Sequence, residues 1–443
     1  MIEWLPNILF LVALLSSVAF FAKNVRKISS NIQLGKPIDR SDRKRDRWNN
    51  MARIALGQSK MIKRPIAGFL HVIVYVGFIL INIELLEIIV DGIVGSHRIF
   101  APYLGSFYNV LIGSFEILAF LVLVAVIVFW LRRNVLRIQR FWKAEMKGWP
   151  KLDADLILYF EIVLMGLFLS MNATDFLLQQ MEADHYHQAG YFPVSQFIAP
   201  LFSSFSEATI IVFERTFWWS HIIGIFIFLN YLYYSKHLHI LLAFPNTYFA
   251  NLAPKGAFRN NSIVTKEVKM MLDPNADPFT ATEETDQEPE RFGASDVTDL
   301  NWVQLMNAYT CTECGRCTSV CPANQTGKKL SPRKIMMDTR DRLTELGDYK
   351  ESKGDTAARD DKKLLDDYIS REELWACTSC NACTEACPVD IDPLSIIMDM
   401  RQYLVLEESA APTDLNNMMN NIENNGAPWP FNNQDRMLWA QEN

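Results

Sequence analysis

The chain has 443 residues, half of them hydrophobic, and a net charge of −7 from 43 Lys and Arg against 50 Asp and Glu. An acidic balance offers no electrostatic footprint for nucleic acid, which is therefore excluded as a partner class. The apolar residues crowd into the first 245 positions, so a membrane-embedded front half is set apart from a polar rear half.

Five stretches of the front half are long and apolar enough to cross a bilayer core of about 30 Å. They are Trp4 to Phe21, Ile66 to Ile89, Phe107 to Leu131, Leu156 to Phe176 and Phe217 to Ala243. A cleaved leader carries its positive charge ahead of the apolar run, whereas Lys23, Arg26 and Lys27 follow this one, so the first stretch is expected to persist as a helix. Basic residues collect between the first two stretches (Arg40, Arg43, Lys44, Arg45, Arg47, Lys63, Arg64) and between the third and fourth (Arg132, Arg133, Arg137, Arg140, Lys143, Lys147). Such loops face the cytoplasm, which places the amino terminus outside an inner, cytoplasmic membrane and everything after Ala243 inside.

The expected organisation is a five-helix transmembrane domain over 1-244, a linker over 245-299, an α-helical ferredoxin domain over 300-408 and an Asn-rich tail over 409-443. The linker is rich in Pro, Asn, Asp and Thr, includes the acidic run Glu283, Glu284, Asp286, Glu288 and Glu290, and reads as a tether over the inner face of the bundle. Helical patterns follow at Asp299 to Ala308, Ser331 to Leu346, Lys362 to Ile369 and Leu394 to Glu407.

All eight cysteines fall into two copies of one spacing, CxxCxxCxxxCP: Cys311, Cys314, Cys317 and Cys321 before Pro322, then Cys377, Cys380, Cys383 and Cys387 before Pro388. Three closely spaced thiolates wrap one corner of an iron-sulfur cube, and the fourth reaches the other cube. Two [4Fe-4S] clusters are implied, one held by Cys311, Cys314, Cys317 and Cys387, the other by Cys377, Cys380, Cys383 and Cys321. Zinc ribbons or disulfides fit this eight-thiol pattern poorly, and with every thiol committed none is left for thiol chemistry.

The segments RFGASDVTDLNWVQLMNAYTCTECGRCTSVCPANQTGKKLSPRKIM and WACTSCNACTEACPVDIDPLSIIMDMR resemble the helical ferredoxin module of heterodisulfide-reductase-like proteins. The front half resembles the cytochrome b subunit of membrane nitrate reductase. The first resemblance implies a CCG-motif domain that carries the substrate-reducing site; the chain does not contain one, and its ending is similar to the connector that precedes it. A separate cytoplasmic subunit with CCG motifs, heterodisulfide reductase B-like, is the implied partner, and the tail the segment that binds it.

The second resemblance implies b-type haem, one or two. His221 and His239 lie eighteen residues apart, five full turns at about 100° per residue, and so share a face of the fifth stretch read as one helix, with His237 pointing elsewhere. His71, near the cytoplasmic end of the second stretch, pairs with His239 in this reading and holds an inner haem. An outer haem would need a histidine where Ile81 stands, so His221 lacks a partner unless His97, His185 or His187 folds inward. The alternative is a haem-free bundle. Glu84, Glu87, Glu116 and Glu161 fall inside apolar stretches, where charge is costly, and either mark proton pathways or pair with groups such as Arg215. The expectation is a membrane electron-transfer subunit, with no catalytic residues of its own, between the quinone pool and the CCG partner; its alternative is an iron-sulfur scaffold or a redox-driven, ion-coupled energising subunit.

Overall fold

A computed structural model of the chain describes residues 4–254, 256–274, 291–354 and 361–441. The fold is mostly α. Among the described residues five helices are long and apolar enough to cross a membrane: Leu5–Ile32, Pro65–Val94, Ser106–Asn134, Trp149–Gln180 and Glu207–Tyr234. Proline at the first turn opens the first, second and fourth, where a missing N–H costs nothing. Gly95, at φ 82°, closes the second by turning its N–H back to Asp91. Arg132 and Arg133 occupy the last turn of the third, where cations complement the helix dipole.

Each membrane helix packs on its neighbours in sequence, and the first packs on the fifth, so the five form a closed ring. Small residues permit the close approaches, as between membrane helices generally. At Gly77 a Cβ would lie 2.5 Å from Val122 Cγ2, which is why the second and third helices can touch backbone to side chain there.

The fifth helix departs from the sequence expectation. Its α-helical part runs Glu207–Tyr231, then two 3-10 turns, Leu232–Tyr234 and Lys236–Leu238, flank an extended Ser235, and a new helix, His239–Tyr248, begins at His239. His221 and His239 therefore belong to different helices and do not share a face through an eighteen-residue phase.

The rear half is built on Trp302–Thr310, Pro332–Lys353 and Pro393–Leu406, which share one core with Ile28 of the first membrane helix and Leu238. The stretch Lys362 to Ile369 is not a regular helix: Leu365 is extended and Asp366 has φ 73°. The long first helix carries the connection onward. Lys36 N–H donates to Leu300 O at 2.7 Å, and Trp302 N–H to Lys36 O at 3.2 Å, clipping the end of that helix to the cysteine domain.

The connecting stretch is anchored at its start and mostly exposed beyond it. Arg47, nearly inaccessible, donates to Ala250 O at 3.0 Å and Tyr248 O at 3.3 Å, and a helix runs Ser262–Leu272. The acidic run from Glu283 to Glu290 lies outside the described residues. The tail carries a helix, Thr413–Asn425, with no buried residue.

Candidate electron-transfer site

The two cysteine motifs repeat one backbone. Glu313 and Ser379, each second after the first cysteine, have φ 53° and 58°, and Gly315 and Asn381, two further on, have φ 69° and 60°. Consecutive turns of this kind direct amide N–H groups inward as an anion-binding concavity, which suits a cluster of net negative charge. The short helices that follow, Arg316–Val320 and Ala382–Ala386, pack on each other and bring the motifs together.

Cys387 lies within electrostatic reach of Cys314 and Cys311, and Cys377 within reach of Cys321 and Cys380. Ile391 N–H donates to Cys387 Sγ at 3.3 Å and Ser379 N–H to Cys377 Sγ at 3.4 Å, the kind of donor that tunes a cluster's potential. Burial pushes the Cys311 thiol up to about 11 and the Cys383 thiol up to about 12, so both would stay protonated at neutral pH without a bound cation. Iron would supply that cation. Among the described residues no three His, Cys, Asp or Glu side chains converge as ligands of a single metal ion.

A cavity of about 490 Å³ lies among the second to fifth membrane helices and reaches the first cysteine motif. Cys314, Arg316 and Pro388 close one end; His71, His237 and His239 line the next portion; His221, Glu161 and Glu84 lie further along. On the second helix, His71 to Glu84 is a rise of about 20 Å. His237 is thus in the cavity with His239, their ring centroids 5.4 Å apart, and does not point away as the continuous-helix reading required. The extended Ser235, whose Oγ accepts the His237 N–H at 3.0 Å, resets the phase.

His239 Nδ1–H donates to Lys236 O at 3.0 Å and His221 Nδ1–H to Leu164 O at 3.1 Å. Both bonds fix the tautomer that leaves Nε2 free to ligate. His71 Nδ1 is buried without a hydrogen-bond partner. His185 and His187 are exposed, and His97 is held by Asp175 at 3.2 Å, so none of the three folds inward to meet His221.

The intramembrane carboxylates separate by environment. Glu87 accepts from Tyr108 OH at 2.6 Å and Phe100 N–H at 2.9 Å, and Glu116 from Val194 N–H at 3.0 Å and Ser195 N–H at 3.1 Å. Arg215 pairs with Glu214, its neighbour in sequence. The buried pair Arg98 and Asp175, at 2.6 Å, had no signal in the sequence because it joins a loop to a distant helix.

The site is tied to the membrane half by polar contacts. Lys60 Nζ meets Asp390 Oδ1 at 2.5 Å, Asn246 donates to Val389 O at 2.7 Å, and Arg316 donates to Lys60 O at 2.9 Å. Arg64 donates to Ser319 Oγ at 2.7 Å, and Arg333 pairs with Glu145 at 2.6 Å. Basic loops and cysteine domain therefore lie on one side of the bundle.

Residues 310–391 match the family model described as a 4Fe-4S dicluster domain. The chain is 29% identical, over 98% of its length, to the probable iron-sulfur-binding oxidoreductase FadF of Bacillus subtilis, and 26% identical, over 99%, to the EtfAB:quinone oxidoreductase of Syntrophomonas wolfei. It spans 61% and 60% of those two proteins. A heterodisulfide reductase C-like protein of Archaeoglobus profundus is 32% identical over 28% of the chain and 54% of its own length. No solved structure matches, and the resemblance to nitrate reductase finds no support in these comparisons. The chain is a multi-pass membrane iron-sulfur protein with an electron-transfer role, related to the C-like iron-sulfur proteins of heterodisulfide reductase.

Proposed function

We propose that the chain relays electrons between quinone in the membrane and a cytoplasmic CCG-motif subunit, through two [4Fe-4S] clusters. The observation that supports this reading is the cavity, which is lined by Glu84 and His221 within the bundle and by Cys314 and Pro388 of the cysteine domain. By this geometry the cluster assigned to Cys311, Cys314, Cys317 and Cys387 is proximal to the membrane. The other assigned set includes Cys380, the exposed cysteine, which suits the outlet toward a partner. Exposed Met418, Ile422, Trp429 and Trp439 suit the tail as its docking connector. One relative is named a quinone oxidoreductase, and its quinone is carried over here as part of the proposal.

His71 with His239 or His237, and separately His221, are the residues that would hold b-type haem. Bound there, haem supplies one-electron transfer across the bundle. The chain's contribution is to fix the imidazole tautomers through Lys236 O and Leu164 O, to line the route with apolar side chains, and to hold the cysteine domain against its end. The basic loops on the cysteine side support a cytoplasmic location for that domain and an outer location for the amino terminus.

A second reading, a haem-free iron-sulfur relay or ion-coupled subunit, is favoured by one observation. Haem and metal histidines ordinarily anchor their second nitrogen, and His71 Nδ1 has no such anchor. Anaerobic purification with assay of iron and acid-labile sulfide tests the clusters; zinc in their place would refute both readings. Reduction of the clusters by an added quinol tests the relay. A reduced spectrum without b-type bands would decide for the haem-free form.

A further inference from the structure

We propose that Glu84 passes protons between the central cavity and the face of the bundle remote from the cysteines; this rests on the quinone reading above. A second cavity of about 420 Å³ opens on that remote side, and Glu84 lines both. Its carboxylate is 4% exposed, Oε1 lies 4.0 Å from Arg98, and Oε2 has no hydrogen-bond partner. A buried acceptor left unpaired costs free energy, and its retention between two cavities is accounted for by a proton that comes and goes.

The titratable and charged groups facing Glu84 are Arg98, Glu87, Glu116 and Asp175. Glu87 is held by Tyr108 OH and the Phe100 amide, and Glu116 lines neither cavity. Asp175 lines the remote cavity and binds Arg98 and His97, whose own Nδ1 is unpartnered. Glu84 is therefore the carboxylate that communicates with both spaces.

Oxidation of one quinol in the central cavity breaks its two O–H bonds. Two electrons leave for one-electron acceptors of the iron-sulfur class, which the two cysteine motifs would hold, and two protons remain. The Glu84 carboxylate takes one, forming an O–H at Oε2, and hands it to water in the remote cavity, which regenerates the base for the second. Quinone reduction runs the same steps in reverse.

The test uses the full chain in liposomes with the cysteine domain outward, a short-chain quinol as donor, external ferricyanide as acceptor and a pH dye trapped in the lumen. The wild type should acidify the lumen as ferricyanide is reduced. Glu84→Gln should lower both rates by about tenfold or more, with cluster signals and reduction by dithionite unchanged, while Glu116→Gln keeps both rates. Undiminished lumen acidification in Glu84→Gln overturns the proposal. So does release of the wild type's protons on the cysteine side, a measurement that needs no variant. Clusters that dithionite reduces and quinol does not would instead overturn the functional reading itself.

Discussion

Lys236, the residue before His237, forms a buried ion pair with Glu313, the residue before Cys314. Arg340 closes on the other Glu313 oxygen at 2.7 Å. Burial works against the Glu313 charge, but Lys236 and Arg340 hold its carboxyl below the usual range. One carboxylate thus ties the histidine segment and the first cysteine motif to the long helix Pro332–Lys353. Lys236→Met would leave Glu313 buried against a single cation, at a cost of about 3 kcal/mol. The expected outcome is a lower midpoint for thermal bleaching of the cluster absorbance; an unchanged midpoint would show that the pair is not what docks the two halves.

The contact between Glu145 and Arg333 predicts how docking responds to acid. Burial raises the Glu145 carboxyl, but the Arg333 guanidinium and the Ser331 hydroxyl outweigh it and hold the group below its ordinary value. A depressed folded value means that the stabilisation is fully present above the unfolded carboxylate pKa of about 4.3 and is lost as pH falls through the folded value. The Glu145→Ala variant should therefore be less stable than the parent between pH 5 and pH 8, by about 2 kcal/mol, with the gap narrowing only below pH 4. A gap that closes already near neutrality would contradict this linkage.

The exchange of the fourth cysteine between motifs makes a separable prediction. Cys387→Ser should damage the cluster assigned to Cys311, Cys314 and Cys317, and Cys321→Ser the cluster assigned to Cys377, Cys380 and Cys383. Each variant is expected to lose about half of the iron and one of two paramagnetic signals, with a different signal surviving in each. If both variants lose the same signal, the assignment fails.

For the histidines, His71→Ala and His239→Ala should each abolish the inner b-type absorption while leaving the iron-sulfur signals in place. His221→Ala should leave that absorption intact, since no second histidine lies against it from another described helix. Equal loss in all three variants would place a single haem elsewhere in the cavity.

Much of this architecture is local and could be read from the chain. An apolar run announces a membrane helix because backbone groups in lipid must be satisfied within the segment. The cysteine spacing announces a cluster because the ligands of one corner come from a few consecutive residues. The helix ends were less legible: the first helix runs to Ile32, eleven residues past its apolar stretch, because Asn31 donates to Tyr309 OH at 2.9 Å and Lys27 pairs with Asp348 at 2.6 Å. Those partners lie hundreds of positions away, beyond any periodicity argument.

Residue types and spacing by themselves determined the five apolar helices, the paired cysteine motifs, the basic loops that share a side with them, and the presence of carboxylates within the bundle. Only the tertiary structure decided that the chain breaks at Ser235, that His237 joins His239 in one cavity, that His97 serves Asp175, and that of Glu84, Glu87, Glu116 and Glu161 Glu84 alone borders both cavities. The physical reason is the range of the forces involved. Hydropathy and ligand spacing act within a few residues, whereas a cavity is the space left when several helices pack together, and a side chain's role there depends on neighbours from the other helices.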